Sequence, residues 1–573
     1  CTQIQTPASE PYLSATAPPD KQELRWSNGK LPKSFDPARA AASPESDIVC
    51  TLYEGLTEID PSTLNAMPAA AEKWGVSADS KVWTFHLRKD AKWSNGKRVT
   101  AADFVASWKR AAAMGSKAAY PELFENIVGF ERKVEVERRT APEPEKERQK
   151  GPSSGGLSSG GDTTSSEPES PAPRAHLIGI QALDDLTLQI TLVKPDNDFP
   201  KLVSDPMFRP IAGDGANFET APIDTSIVTN GPFTVAETTQ NGVTVQRSET
   251  YWNKAAVKLE RIRFVPTETA EAALEAYKNG DLDAITNSDF EPLALKLLAP
   301  YGDFRQTTHS ALNLYEFNTR VAAFGDRRVR EALAVSIDRQ RIVDSEFQGT
   351  ADAADDFLPI SRVGDGSLDY DAAYARDLLT RAGYPNGENF PTVRLVINRN
   401  DLQQRVARLV ARMWKQNLNV ETQIIVKEPA EIDAARAAGD YDIIRRGVVL
   451  PTSDEVATLA LIFRPAEPAT QSNATIPPPD ASAQLGVRPA EQPHGPSAIE
   501  KPVEPATQPA PWNSVTSAAD ALYELYSIPL YSPNSYSLVK PYVHGLTLTG
   551  LNSVSVTHIS IDNNWSPPKA SQP

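Results

Sequence analysis

Two cysteines, Cys1 and Cys50, are all that 573 residues contain. So few thiols exclude a disulfide framework as the source of stability. Histidine is scarce too. His86, His176, His309, His494, His544 and His558 show no ligand spacing, and His-Glu-x-x-His is absent. No Gly-x-Ser-x-Gly elbow and no phosphate loop occur, and Gly213-Asp214-Gly215 and Gly364-Asp365-Gly366 are bare turns. No run of 18 apolar residues exists, so the sequence offers no membrane-spanning helix. Basic residues are outnumbered, 58 against 74 acidic, for a net charge of −16. No basic stripe offsets the acid, which argues against nucleic acid or anionic lipid as the main partner. These absences leave no catalytic constellation, no cofactor and no metal site, and the chain reads as a non-enzyme.

What is abundant is proline, with 48 residues that cluster. Residues 137–174 run from a charged stretch into GPSSGGLSSGGDTTSSEPESPAPR, with almost no large apolar side chains. Residues 465–511 carry PATQSNATIPPPD and KPVEPATQPAP. Neither segment can repay its ordering entropy, so both are expected to be disordered insertions, the second with polyproline II character. A chain of this length calls for three or four domains. Cys1 followed by the polar stretch 2–20 resembles a mature lipoprotein, with Cys1 lipidated and residues 1–20 as a flexible tether. Cys50, before Leu52 and Tyr53, reads as a buried small hydrophobe.

Elsewhere the apolar periodicity is regular. Trp83, Phe85 and Leu87 alternate with polar residues as in a half-buried strand. Ser94-Asn95-Gly96-Lys97 is a turn, and Thr100 with Asp103 caps a helix carrying Phe104, Val105 and Trp108. Thr187–Val193 alternates again, and FTVAETTQ and VTVQRSE, at 233–240 and 243–249, form a hairpin-like pair. Ala270–Asn279 is helical and stops at Gly280. Asp326–Arg341 reads as one amphipathic helix with Val329, Leu333 and Ile337 on one face, and Gln403–Gln416 as another. Strands alternate with helices without a regular repeat, which predicts mixed α/β domains.

The wording of these elements resembles a known family. The stretch VWTFHLRKDAKWSNGKRVTAADFVASW at Val82–Trp108 resembles the signature of extracytoplasmic solute-binding proteins of peptide ABC importers, nearest the oligopeptide-binding branch. LYEGL at Leu52–Leu56, QALDDLTLQITL at Gln181–Leu192, IVTNGPF at Ile227–Phe233, Tyr251-Trp252, DRRVREALAVSIDR at Asp326–Arg339, IPLY at Ile528–Tyr531 and LVKPYVHGL at Leu538–Leu546 follow in family order. The resemblance implies an α/β, two-lobed periplasmic-binding-protein fold of the large peptide-binding type, with an extra third domain. Domain I would comprise 21–53, 200–301 and 528–573, domain II 54–199, and domain III 302–527.

A binder with little sequence preference must grip the backbone and charged ends that all peptides share. The resemblance places ligand-pairing strands at Ala41, Ala42 and Ser43 and at Gly447, Val448 and Val449. It places the ligand carboxylate on Arg436 and Arg445. On the residues alone, both arginines read equally as surface partners of Asp440 or Asp442. Tyr120 is a ligand-lining aromatic or a core tyrosine. One departure stands out. Pro451 occupies the position of the family aspartate that pairs with the ligand's α-amine, and Val448 that of a tryptophan. Asp454, or Glu455, is the nearest acid that could substitute. The expected function is a lipid-anchored, monomeric receptor on the periplasmic or outer membrane face, delivering oligopeptides to ABC permease subunits. The alternatives are a receptor for a modified or cell-wall peptide, and an envelope sensor that keeps the fold without transport.

Overall fold

The computed structural model describes residues 11–131, 178–216, 218, 224–360, 367–465, 515–551 and 554–567. Cys1 and nearly all of both proline-rich segments lie outside them.

In chain order, β1 (Glu23–Ser27) is followed by α1 (Glu45–Leu52). Next come β2 (Ala71–Val76), β3 (Val82–Leu87), α2 (Ala101–Ala113), β4 (Ile180–Asp184) and β5 (Thr187–Thr191). These strands form a four-stranded antiparallel sheet in the order β2-β3-β5-β4. The alternation read from Trp83, Phe85 and Leu87 is the buried face of β3. At α2 the capping box is present, with the Asp103 carboxylate accepting from the Thr100 N–H at 2.8 Å. Trp108 then donates from Nε1 to the Phe208 carbonyl at 2.7 Å, fixing α2 against the next segment.

The hairpin follows as β6 (Phe233–Thr239) and β7 (Gly242–Arg247), then β8 (Arg261–Phe264), α3 (Ala270–Asn279) and β9 (Ala284–Thr286). Gly280 ends α3 at φ +84°, a left-handed cap that suits glycine. β10 (Phe304–Thr308) and β11 (Ala311–Phe317) run on to α4 (Arg327–Val335). β12 (Val393–Asn398), α5 (Asp401–Leu418), β13 (Thr422–Lys427), α6 (Pro429–Ala438), β14 (Ile443–Val449) and α7 (Glu455–Ile462) complete this stretch. The 13-residue β15 (Ser527–Val539) closes the fold.

The main sheet reads β13-β12-β14-β11-β15-β9-β1-β8-β7-β6. β15 is its spine. Its first half pairs with β11, at Ile528 with Tyr315, and its second with β10, at Leu538 with Phe304. Two cores lie on either side of this crossing. One gathers Trp26, Phe85, Phe104 and Tyr542; the other gathers Leu314, Leu333, Trp414 and Ile528. The chain passes between them at 308–311 and within β15, so two lobes share two crossing segments.

The structure departs from the sequence reading in two elements. The single helix expected over Asp326–Arg341 is broken after Val335. Ser336 turns its hydroxyl onto the Leu333 carbonyl at 2.9 Å, and Asp338 caps a new turn by accepting from the Arg341 N–H at 2.9 Å. The break lets buried Arg339 reach the carbonyls of Pro529 and Leu368 at 2.8 and 3.1 Å. The stretch 2–20, expected to be a flexible tether, is packed from Tyr12 onward. The Leu13 N–H bonds Asp303 Oδ1 at 2.8 Å, and buried Lys540 donates to Ser14 Oγ at 2.7 Å.

Candidate ligand-binding site

β14 carries the sequence Ile-Ile-Arg-Arg-Gly-Val-Val, and period-2 geometry sends its two arginines to opposite faces. Arg445 stands opposite Tyr315 of β11, on the face of Ile443 and the second core. Its guanidinium donates to Asn398 Oδ1 at 3.2 Å and to Asn313 Oδ1. Both acceptors are neutral. Its Nε is buried without a hydrogen-bond partner. Among the described residues no carboxylate compensates this half-buried charge.

Arg446 faces the other way and meets Glu316 at 2.7 Å. Arg436, on α6, reaches the same carboxylate at 2.9 Å. Burial opposes ionisation of Glu316, but Arg446 and Arg436 together hold its carboxyl below the ordinary range. The two arginines also bond the carbonyls that end α7: Arg446 that of Ile462 at 2.6 Å, and Arg436 that of Arg464. Cations at helical C-termini satisfy unpaired carbonyls and suit the dipole. Arg436 and Arg445, expected to act together, are therefore on opposite faces of the sheet with different partners. Asp440 and Asp442 belong instead to Arg394, at 2.5 and 3.9 Å.

Gly447, Val448 and Val449 pair with Asn313, Leu312 and Ala311 on one side. On the other side β12 covers only Ile443 and Ile444. The outer edge of β14 from Arg445 to Val449 is thus without a strand partner among the described residues. Val449 is 43% exposed. This is the arrangement an extended ligand needs for strand addition.

The first lobe's expected strand is different. Ala41, Ala42 and Ser43 form a turn into α1, and each carbonyl has an internal donor. Tyr120 Oη donates to Ala41 at 3.1 Å, the Ser46 N–H to Ala42 at 3.0 Å, and Asn287 to Ser43 at 3.2 Å. Tyr120 and Ala41 are the predicted residues that the fold brings into contact.

Past β14, Pro451, Thr452, Ser453 and Asp454 are all buried. Asp454 caps α7, accepting from the Ala457 N–H at 2.6 Å. Burial, followed by the nearby Asp196 carboxylate, raises its carboxyl well above the usual range. Glu455 accepts from the Ala518 N–H at 2.6 Å. Both candidate substitutes for the lost aspartate are thus structural partners already. Cys50 is 5% exposed, and burial pushes its thiol up to about 12, so it packs rather than reacts.

Sequence reasoning missed Asn313, Asn398, Arg446 and Glu316. The paired arginines on an alternating strand were a signal for opposite faces. The acceptors, 47 to 132 positions away, were not.

Residues 65–469 match the family model of bacterial extracellular solute-binding proteins, family 5 middle. The chain belongs to this family. It is 30% identical over 446 residues to the periplasmic oligopeptide-binding protein OppA of Escherichia coli K12, covering 75% of each chain. It is 29% identical to the periplasmic murein peptide-binding protein MppA of the same strain, over 78% of this chain and 79% of that one. Among solved structures, the unliganded open form of MppA, a periplasmic murein tripeptide binding protein, superposes with a TM-score of 0.69 at 24% identity, covering 96% and 99% of the two chains. OppA of Haemophilus influenzae in complex with the peptide RPPGFSPFR gives 0.56 at 24%, covering 95% and 99%. The two-lobed α/β fold and its place among extracytoplasmic solute-binding proteins follow from these matches. No helix among the described residues is long and apolar enough to cross a membrane.

Proposed function

We propose that this protein is a receptor that captures an extended oligopeptide between its lobes for an ABC importer, with the ligand's carboxylate on Arg445. The carrying observation is the half-buried guanidinium of Arg445, held by two neutral amides beside a strand edge that no strand covers among the described residues. A carboxylate there gains two charge-assisted bonds and neutralises a cation left uncompensated by the fold. Gly447–Val449 supply backbone groups for the ligand strand. Arg436, matched to Glu316, is assigned the support of α7 rather than ligand contact. Ala41–Ser43 and Tyr120 form the facing wall, with domains I, II and III divided as the sequence suggests. Lipidation of Cys1 and delivery to permease subunits complete the reading. With no enzyme chemistry in view, closure itself is the event: ligand contacts made to both lobes favour the closed population.

Calorimetry on one peptide in four end-blocked forms tests the grip. Arg445→Ala should weaken free-acid binding by about 1.5–3 kcal/mol, the range for hydrogen bonds to charged groups. The C-terminally amidated form should bind weakly and respond little. Because Pro451 carries no acid, N-acetylation should cost little. That tolerance favours a second reading, a receptor for a modified or cell-wall-derived peptide. Binding of acetylated forms only would select it, and no binding of any form would point to the non-transport sensor. Replacing Cys1 with Ser, under a native signal peptide, should release the protein from membranes; a soluble wild type without acyl mass would remove the anchor from the account.

A further inference from the structure

Residues 11–16 lie across the first lobe and touch several separate parts of it. The Gly302 N–H donates to the Pro11 carbonyl at 3.1 Å. Tyr12 meets Trp565 edge to face, and Trp565 in turn meets Tyr542. The Asp303 carboxylate accepts from the backbone N–H groups of Leu13 and Ser14 at 2.8 and 3.4 Å, and from Tyr277 Oη at 2.8 Å. The Ser14 hydroxyl donates at 3.0 Å to the Lys278 carbonyl, in the last turn of α3, and accepts from Lys540 Nζ at 2.7 Å. Lys540 also reaches the Ser14 carbonyl at 3.4 Å. Asp303 and Lys540 are 1% and 0% exposed.

Those two buried charges stand at the roots of the hinge. Asp303 comes immediately before β10 and Lys540 immediately after β15, the strands that lead into the two crossings between lobes. The roots are also joined directly, because the Val539 N–H donates to the Asp303 carbonyl at 2.9 Å. Among the described residues, two of the three donors to the Asp303 carboxylate and both acceptors of the Lys540 ammonium belong to Leu13 and Ser14. Buried charges stripped of such partners are costly and must be rehydrated. With residues 11–16 undocked, both roots would therefore loosen. None of these contacts goes to the second lobe. They favour neither an open nor a closed arrangement, and act instead on the freedom of the strands that carry the second lobe.

We propose that residues 11–16 are a clip on the hinge: docked on Asp303 and Lys540, they hold the stationary ends of both crossings, and their release widens the range of lobe motion and weakens peptide capture. The effect on capture rests on the receptor reading above; the effect on motion does not. A ligand that draws the lobes together must suppress the freedom of the hinge, and a hinge already ordered leaves less to suppress.

The test uses the full chain. Leu13→Pro removes one N–H donor to Asp303, Ser14→Ala removes the hydroxyl on Lys540, and Ser14→Thr keeps it. Hydrogen exchange is read at the Val539 and Lys540 amides, with β3 and β12 as internal references. Lobe motion is read as the distance distribution between spin labels at Lys89→Cys and Arg412→Cys, both exposed, in a Cys1→Ser background. Leu13→Pro and Ser14→Ala should speed exchange at Val539 and Lys540 by about tenfold or more with the references unchanged. The distribution should broaden, and uptake of an equimolar pool of free-acid tri- to pentapeptides should fall by at least about threefold. Ser14→Thr should match the wild type in all three. Unchanged exchange, an unbroadened distribution, or wild-type uptake beside a broadened one would each overturn the clip. A wild type that takes up no peptide would remove the receptor reading, while exchange and distance width still decide whether the clip governs the hinge.

Discussion

At the scale of single residues, the second lobe separates two kinds of arginine. Arg446 and Arg436 share Glu316 and brace the end of α7. Arg445 instead donates to two neutral amides, and no carboxylate pairs with it among the described residues. The register of RRGVV was legible, because neighbouring strand residues face opposite ways. The division of labour was not, because it depends on Glu316, 120 positions before Arg436. A second residue-scale feature is buried Glu54, which accepts from Tyr251 Oη at 2.5 Å and Trp252 Nε1 at 2.8 Å. Burial, outweighing those donors, raises its carboxyl to about 7. Its folded value lies above the unfolded one, so its contribution to stability is full in acid and is lost as pH rises through about 7. Buried Asp205, raised to about 7 by the same cause, acts in the same direction. Thermal midpoints should therefore fall between pH 6 and 8. Glu54→Gln should make that fall shallower, with Asp205 and the other buried acids raised by burial, among them Asp47, Asp196 and Asp454, left to supply the remainder. A variant that follows the wild-type slope would rule out Glu54 as a source.

At the scale of elements, local signals worked where caps and alternation are contiguous. Thr100 with Asp103 begins α2, and Gly280 ends α3, where the sequence put them. Asp103→Ala should cost about 1 kcal/mol in urea unfolding, because it removes the return half of the capping box. An unchanged midpoint would show that Trp108 and Phe104 fix the helix without it. The expected helix over Asp326–Arg341 failed for a non-local reason. Arg339 needs carbonyls from Pro529 and Leu368, and no pattern within the helix announces them. The Ala41–Ser43 strand failed likewise, since Tyr120 and Asn287 take up its carbonyls from elsewhere in the chain. β14 was placed by family wording, but its outer edge, uncovered among the described residues, is a fact of sheet order. A ligand N-methylated at the amide that pairs with Gly447–Val449 should bind at least about fivefold more weakly, from the loss of one backbone bond worth about 1 kcal/mol. Equal affinity would place the ligand backbone elsewhere.

At the scale of the molecule, the fold was legible because family-like blocks occur in order along the whole chain, and length alone demanded several cores. What the sequence could not show is how the two cores are joined. β15 serves both, pairing with β11 by one half and with β10 by the other, and α7 packs into each core. Those crossings make relative motion of the lobes the natural response to a ligand that contacts both. The central claim is that this motion serves peptide capture through Arg445. Native mass spectrometry tests it most directly, with the full chain and its Arg445→Ala variant each mixed with an equimolar pool of free-acid tri- to pentapeptides and the same pool C-terminally amidated. The account predicts one peptide per wild-type chain, drawn from the free-acid pool, and loss of that selectivity in the variant. Equal uptake of amidated peptides by the wild type, or no adduct from either pool, would contradict it.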